Sequence, residues 1–221
     1  MYFYILMGSV IVPMLYSIFV CDFIIHWKKF FLSTASIAVL FLIWDAFFTS
    51  WGVWGFNDDY CLGLYILRMP IEEWLFFFII PFCSLFTHFA FFYAFPKLKL
   101  NKQLTQIISA LIVLTAASLI IIYPTRAYTA VNYSFLLITL SLGILFNIRR
   151  LQQFYISFLI ILVPFFIVNG LLTGVLSEAP VVWYDNQENL GIRLLTIPIE
   201  DIGYAFTMLF GNLVIFDWLK D

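Results

Sequence analysis

Long apolar runs separated by short polar segments dominate the pattern along this chain. A helix needs about 20 consecutive apolar residues to cross a lipid bilayer. Seven runs reach that length, and we predict transmembrane helices at about residues 2–20, 30–50, 71–95, 104–123, 128–147, 154–176 and 197–219. Little sequence remains between these runs. The pattern therefore predicts an all-α integral membrane protein of about seven transmembrane helices, without a soluble domain.

Composition supports a membrane protein and narrows its partners. Of 221 residues, 64% are hydrophobic and 11% are charged, whereas soluble domains have about 25% charged residues. The formal net charge of −2 gives no reason to expect a nucleic-acid partner. The three cysteines, Cys21, Cys61 and Cys83, are scattered and form no CxxC pair, so we predict no metal site.

The basic residues predict an orientation. Eight lie on one side of the predicted bundle: Lys28, Lys29, Lys97, Lys99, Lys102, Arg149, Arg150 and Lys220. Three lie on the other side: Arg68, Arg126 and Arg193. Positive residues favour the cytoplasmic side. We therefore expect a multi-pass protein of the cytoplasmic membrane, with its N-terminus outside and its C-terminus in the cytoplasm.

Two segments of the chain repeat one another. Residues 62–73 and 190–201 align without gaps, with identical residues at six positions and a Pro-Ile-Glu sequence followed by Glu73 or Asp201. A second match, between residues 43–49 and 167–173, places Asp45 opposite Asn169. We predict two parallel three-helix repeats, residues 1–98 and 127–221, joined by a connector helix in residues 99–126.

The repeated acids are the candidate chemistry. Carboxylates near an apolar run are costly and usually functional. A simpler alternative stays open, because Pro70 and Pro198 suit a helix start and acids suit its first turn. Adjacent helical residues point about 100° apart, so one acid of each pair can face the interior. A neutral carboxylic acid in a dry aromatic pocket can donate a proton.

Other residues near the motifs are candidates for supporting roles. Trp74 and Tyr204 follow the two acid pairs, and their rings could stabilise a developing cation. Asp45 and Asn169 fit either an acid network or a structural hydrogen bond between helices. Either way, polar groups within apolar helices are expected to face the bundle interior.

The tandem Pro-x-Glu-Glu/Asp motif in a small seven-helix chain resembles the heterodimeric-type lycopene β-cyclases, with both halves fused. It is also similar to the cyclase part of the fungal cyclase–phytoene synthase fusions, although we expect no synthase domain in this protein. The resemblance covers nearly the whole chain. Its most specific residues are Pro70-Ile-Glu72-Glu73 and Pro198-Ile-Glu200-Asp201.

The resemblance implies proton-initiated ring closure of the ψ end groups of lycopene to β-ionone rings, an isomerisation in carotenoid biosynthesis. It makes Glu72 and Glu200 the leading acids, with Glu73 and Asp201 tuning them or accepting the final proton. The chain lacks a GxGxxG fingerprint, so we expect no cofactor. Expected partners are lycopene, other apolar carotenoids and membrane lipid, with other carotenoid enzymes as candidates. The sequence leaves open which carboxyl of each pair donates the proton and whether one or both ends of lycopene are cyclised. The number of active sites and the oligomeric state also stay open.

Two other functions fit parts of the pattern. Intramembrane acids and internal repeats also suit a proton-coupled transporter, although seven helices are few for one. A carotenoid 1,2-hydratase would use the same protonation, with water capturing the cation. Dryness of the pocket separates this hydratase from a cyclase.

Overall fold

Within residues 1–19 and 26–219, which the computed structural model describes, the chain forms seven α-helices. They are α1 (Tyr2–Phe19), α2 (Trp27–Trp51), α3 (Ile71–Ala94), α4 (Lys102–Ile122), α5 (Ala127–Phe146), α6 (Ile148–Leu172) and α7 (Glu200–Trp218). Three residues used in the sequence predictions, Val20, Cys21 and Lys220, lie outside the described residues.

The helices form a membrane-type bundle. In the described part of the chain, α1 to α6 are long and apolar enough to cross a membrane. Helix α7 carries Glu200, Asp201 and Asp217, and it packs among α2, α3, α5 and α6. The prediction of an all-α membrane protein with seven helices is confirmed.

Helix α2 begins three residues before its predicted start, at Trp27 and not at 30, and the starts of α6 and α7 also differ from the predicted ones. Helix α6 begins at Ile148 and not at 154, because Arg150 is neutralised by a bidentate ion pair with Asp217 of α7. The arginine therefore belongs to the helix and not to a loop. Helix α7 begins at Glu200 and not at 197, because Pro198 lies in a strand.

Short strands, absent from the sequence prediction, join the helices at one end of the bundle. Strands β2 (Tyr65–Ile66) and β3 (Met69–Pro70) form a hairpin before α3, and β5 (Arg193–Leu194) and β6 (Ile197–Pro198) form the equivalent hairpin before α7. Strand β1 (Trp54–Phe56) follows α2 and pairs antiparallel with β4 (Val182–Tyr184), which follows α6.

The repeated Leu-Gly sequence has a backbone explanation. Gly63 and Gly191 have φ values of 81° and 71°, a left-handed conformation that glycine adopts without steric cost. Each glycine precedes a hairpin that is closed by the same backbone hydrogen bond, from Ile71 to Leu64 and from Ile199 to Ile192. The two copies of the motif therefore form the same local structure.

The packing of the helices follows the repeat. In each half the first helix packs on the third, α1 on α3 and α5 on α7, while α2 contacts α7 and α6 contacts α3 across the halves. The β1–β4 pair places Gly55 opposite Trp183, so a two-fold rotation between the halves passes near this pair. Helix α4 packs against α5 and α6, as a connector would. The repeat boundaries at 98/99 and 126/127 stay predictions.

Close packing of α5 against α7 gives a test of the bundle. A Cβ atom on Gly143 would overlap the ring of Phe210, which is fully buried. Gly143→Ala should therefore destabilise the protein by about 1–3 kcal/mol through overpacking, seen as a lower melting temperature in detergent.

Gly8 of α1 provides the matched control, because a Cβ there meets no atom within 4 Å. Gly8→Ala should be neutral or stabilising, since alanine is favoured over glycine in a helix by about 0.5–1 kcal/mol. Equal melting temperatures for the two variants would contradict the α5–α7 packing.

Candidate active site

The first acid of each repeated pair accepts a backbone hydrogen bond that links the following helix to the segment before the hairpin. Glu72 Oε1 accepts the backbone N–H of Leu62 at 2.7 Å, and Glu200 Oε1 accepts that of Leu190 at 2.7 Å. Both carboxyls are fully buried. Glu200 Oε1 also accepts a hydrogen bond from the Thr129 hydroxyl at 2.7 Å. These two glutamates hold the loop, the hairpin and the helix start together.

The second acid of each pair points elsewhere, because neighbouring helical residues differ in direction by about 100°. Glu73 Oε2 accepts a hydrogen bond from the Tyr2 hydroxyl at 2.5 Å, and Asp201 Oδ1 accepts one from the Tyr128 hydroxyl at 2.5 Å. Tyr2 and Tyr128 lie in the first turns of α1 and α5. In each half, a tyrosine at the start of the first helix thus donates to the second acid of the motif.

The β1–β4 ribbon adds donors to the same region. Trp54 and Tyr184 face each other across the ribbon. Tyr184 donates its hydroxyl to Asp201 Oδ2 at 3.0 Å. Trp54 donates its indole N–H to Asp45 Oδ1 at 2.5 Å, and Thr49 donates to the same oxygen at 3.2 Å. The ribbon therefore covers the polar end of the bundle and reaches a third carboxyl.

Glu73, Asp201 and Asp45 line one cavity of about 200 Å³. Burial and the nearby carboxyls of Asp201, Glu73 and Asp45 raise the pKa of the Tyr184 phenol, which is consistent with this clustering. In the described residues, no group of three or more His, Cys, Asp or Glu side chains is arranged to hold a metal ion. The cavity is thus a cluster of carboxyls with phenol and indole donors.

An apolar arm extends from this polar end along the helices. Its lining includes Pro13 of α1, Ile80 and Thr87 of α3, and Phe165 of α6. Thr87 lies 14 residues after Glu73 on α3, about 21 Å at a rise of 1.5 Å per residue. The cavity therefore joins acidic groups to a long, narrow, mainly apolar space.

Only some of the site residues predicted from the sequence line the cavity. Asn169 and Tyr204 line the cavity with Glu73, Asp201 and Asp45, but Glu72 and Glu200 do not. Trp74 lies outside the cavity lining, and its indole donates to the Ile66 carbonyl at 3.3 Å. Pro70 and Pro198 end the β3 and β6 strands that precede the helices. They position the acids without reaching the cavity.

Sequence reasoning missed the tyrosines that contact the carboxyls. Tyr2, Tyr128 and Tyr184 lie far from their acid partners in sequence, and phenols are common in membrane helices. A signal did exist, since Tyr2 and Tyr128 each stand at the start of the first helix of a repeat. The repeat alignment did not extend to that helix pair residue by residue.

The cavity thus has buried carboxyls with phenol donors at one end of an apolar space, an arrangement that can support acid–base chemistry. A family model for lycopene cyclases matches residues 1–91 and 125–219, which make up most of the chain. The chain therefore belongs to the lycopene cyclase family, as the motifs predicted. No curated protein and no solved structure matches it.

The contact between Glu72 and Leu62 gives a prediction for the hairpin. Glu72→Ala leaves the backbone N–H of Leu62 without its acceptor and should destabilise the protein by about 1–3 kcal/mol. Glu72→Gln retains an oxygen that can accept the same hydrogen bond, so its melting temperature should stay near that of the wild type.

Glu178, an exposed loop residue, is the control for removing a carboxylate. Glu178→Ala should leave the melting temperature unchanged. If Glu72→Gln melted as early as Glu72→Ala, the charge of Glu72, and not its hydrogen bond to Leu62, would be the stabilising feature.

Proposed function

We propose that this protein is a lycopene β-cyclase that closes the ψ end groups of lycopene to β-ionone rings by acid–base catalysis. Membership of the lycopene cyclase family gives a role in carotenoid cyclisation. The β-ring product, the isomerase classification and independence of a cofactor belong to the proposal. The observation that carries it is one cavity that contains both Glu73 and Asp201 and continues into an apolar arm.

The shape of the cavity suits an apolar polyene. Beyond the carboxyls, its lining comes from apolar side chains of α1, α3, α6 and α7 together with a few hydroxyls. A linear hydrocarbon dissolved in the bilayer can lie along such an arm with its end group at the acids. Burial of apolar surface contributes about 25 cal/mol per Å², which provides affinity without polar contacts.

Glu73 and Asp201 are the proposed catalytic residues, a revision of the sequence interpretation that ranked Glu72 and Glu200 first. The revision rests on where the acids lie. Glu72 and Glu200 accept hydrogen bonds from the backbone N–H groups of Leu62 and Leu190, and neither glutamate lines the cavity. The second acids face the space where an end group would bind.

The proposed reaction begins with proton transfer from a carboxyl to the terminal double bond, which leaves a tertiary carbocation. The next double bond of the end group attacks this cation, and the new carbon–carbon bond closes a six-membered ring. Loss of a proton from the ring carbon next to the new cation forms the β-ring double bond. One proton is gained and one is lost, so the product is an isomer and the chemistry requires only carboxyl groups.

Aromatic rings can stabilise the cationic intermediates. Tyr204 and Trp54 line the cavity with their ring centroids 6.3 Å apart. A cation within about 6 Å of an aromatic ring face is stabilised by about 2 kcal/mol or more when it is desolvated. The same rings exclude water, which would otherwise capture the cation and give a hydrated product. They therefore favour ring closure over hydration.

We further propose that the acidic end of the bundle faces outward from the cytoplasmic membrane. Arg150, at the start of α6, and its partner Asp217, near the end of α7, lie at the end opposite the motif carboxyls. At the same end, Lys28, Lys29, Lys102 and Arg149 lie in the first turns of α2, α4 and α6, and Lys97 and Lys99 lie in the loop before α4. Positive residues favour the cytoplasm. This arrangement puts the N-terminus outside.

Pigment analysis of lycopene-accumulating bacteria that express this chain is the test of function. We expect lycopene to be replaced by monocyclic or bicyclic β-carotenes. A hydroxylated acyclic product would indicate a carotenoid 1,2-hydratase. Unchanged lycopene, with the protein present in the membrane, would contradict both enzyme functions and favour the proton-coupled transporter.

Variants in the same assay test the site. Glu73→Gln and Asp201→Asn should each lower cyclisation by about 100-fold or more, as expected for loss of general acid–base catalysis. The matched control is Glu72→Gln, one residue from Glu73 and outside the cavity, which should retain most activity. Loss of activity in Glu72→Gln with full activity in Glu73→Gln would contradict the assignment.

A further inference from the structure

The two halves of the site share a backbone frame but differ in the charge around their acids. Glu73 and Asp201 occupy equivalent positions, and each accepts a hydrogen bond from the tyrosine that begins its own half. Among the equivalent positions that differ between the halves, three lie close to the cavity or to a hydrogen-bond donor of an acid. All three differences change the electrostatic surroundings of the acids in the same direction.

The first difference lies in the β1–β4 ribbon. Tyr184 is the last residue of β4, and Phe56 is the last residue of β1. Both line the cavity, but only Tyr184 has a hydroxyl, which it donates to Asp201 at 3.0 Å. Within residues 1–19 and 26–219, Asp201 thus accepts two phenol hydrogen bonds, whereas Glu73 accepts one, from Tyr2. Hydrogen bonds to the charged form of a carboxyl stabilise that form.

The second difference lies at the start of the hairpins. Arg193 begins β5, and its guanidinium lies 5.8 Å from the ring centroid of Tyr184, the residue that donates to Asp201. The equivalent residue of β2 is Tyr65, which donates its hydroxyl to Asp58 at 2.5 Å. A positive charge therefore lies near the site of Asp201, and its equivalent position in the first half is neutral.

The third difference lies in the second helix of each half. Asp45 in α2 corresponds to the neutral Asn169 in α6, and both line the cavity. Asp45 is buried and interacts electrostatically with Glu73, and one of its oxygens has no hydrogen-bond partner among the described residues. A second carboxyl close to Glu73 disfavours two negative charges there.

We propose that the two acids have divided roles, with Glu73 as the proton donor and Asp201, present as a carboxylate, as the acceptor of the final proton. The proposal rests on the proposed function and deepens it. The Glu73 carboxyl transfers its proton to the terminal double bond, the ring closes, and Asp201 removes the proton from the ring carbon. One proton moves from Glu73 to the product and one from the product to Asp201, so atoms and charge balance.

If Glu73 is the proton donor and Asp201 the acceptor, each of the three differences between the halves has a function. The Tyr184 hydroxyl and the Arg193 guanidinium hold negative charge on Asp201, and Asp45 keeps the proton on Glu73. A fixed anion opposite the donor also stabilises the carbocation that forms between them, as preorganised charges do in other enzymes. After each turnover, proton transfer from Asp201 to Glu73 within the shared cavity restores the starting state.

A stable cation provides a test that does not depend on turnover. The probe is an acyclic isoprenoid chain that ends in a trimethylammonium group, and the control probe is the same chain ending in a tert-butyl group. The two probes have similar shape and differ in charge. Trp54 lies in the cavity lining, so binding to purified protein can be followed through tryptophan fluorescence. The measured quantity is the ratio of the two affinities.

The proposal predicts opposite responses from two isosteric variants. Asp201→Asn removes a negative charge and should lower the preference for the ammonium probe by about tenfold or more, equivalent to about 1.4 kcal/mol. Glu73→Gln replaces one neutral group with another and should change that preference by less than about threefold, well under 1.4 kcal/mol. The proposal would be overturned if Glu73→Gln alone lowered the preference for the ammonium probe. It would also be overturned if both variants lowered this preference equally or if neither did.

Infrared difference spectra provide a second measurement on the same proteins. Wild type minus Glu73→Gln should contain the C=O stretch of a protonated carboxyl, and wild type minus Asp201→Asn should contain carboxylate bands. If an amide variant fails to fold, Glu73→Asp and Asp201→Glu serve instead, and each should shift its band without removing it. The reverse pattern would overturn the division even if pigment analysis had established cyclase activity. Absence of cyclase activity would instead refute the proposed function. The difference in charge between Glu73 and Asp201 could still be measured by probe binding and infrared spectroscopy.

Discussion

The hydrogen bond from a backbone N–H to the first acid of each pair is the interaction on which the site depends. A carboxyl in an apolar bundle is costly unless it has partners, and Glu72 and Glu200 obtain theirs from Leu62 and Leu190. Each bond spans the whole hairpin and fixes it against the following helix. Glu73 and Asp201 follow these fixed glutamates directly on their helices. Their positions are therefore fixed as well, and their side chains line the cavity.

In the proposed mechanism, the paired acids divide a structural task from a chemical one. A single acid could not serve both tasks, because a carboxyl that accepts the backbone N–H of the hairpin does not line the cavity. Two adjacent acids point about 100° apart, so the first can hold the loop while the second lines the cavity. This requirement explains why both copies of the motif contain two carboxyls in succession, whether the second is Glu73 or Asp201.

Much of the fold could be predicted from the sequence, since apolar runs and the membrane thickness together define the helices. The repeat was visible because residues 62–73 and 190–201 retain six identical positions. The direction of each acid could not be predicted, because it depends on a hairpin of two-residue strands with a weak sequence pattern. The start of α6 was missed because the ion pair between Arg150 and Asp217 joins residues 67 positions apart.

The position of the two second acids also bears on why the chain contains two halves. Glu73 comes from the first repeat and Asp201 from the second, yet both line the same cavity. Tyr184, from the second half, pairs through its strand with Trp54 of the first half, and each donates to a cavity carboxyl. Neither half alone therefore contains the complete carboxyl cluster. Because both halves line one cavity, residues at equivalent positions of the two halves do not have the same neighbours. Their charges can therefore differ while the backbone of the two hairpins and helix starts stays the same.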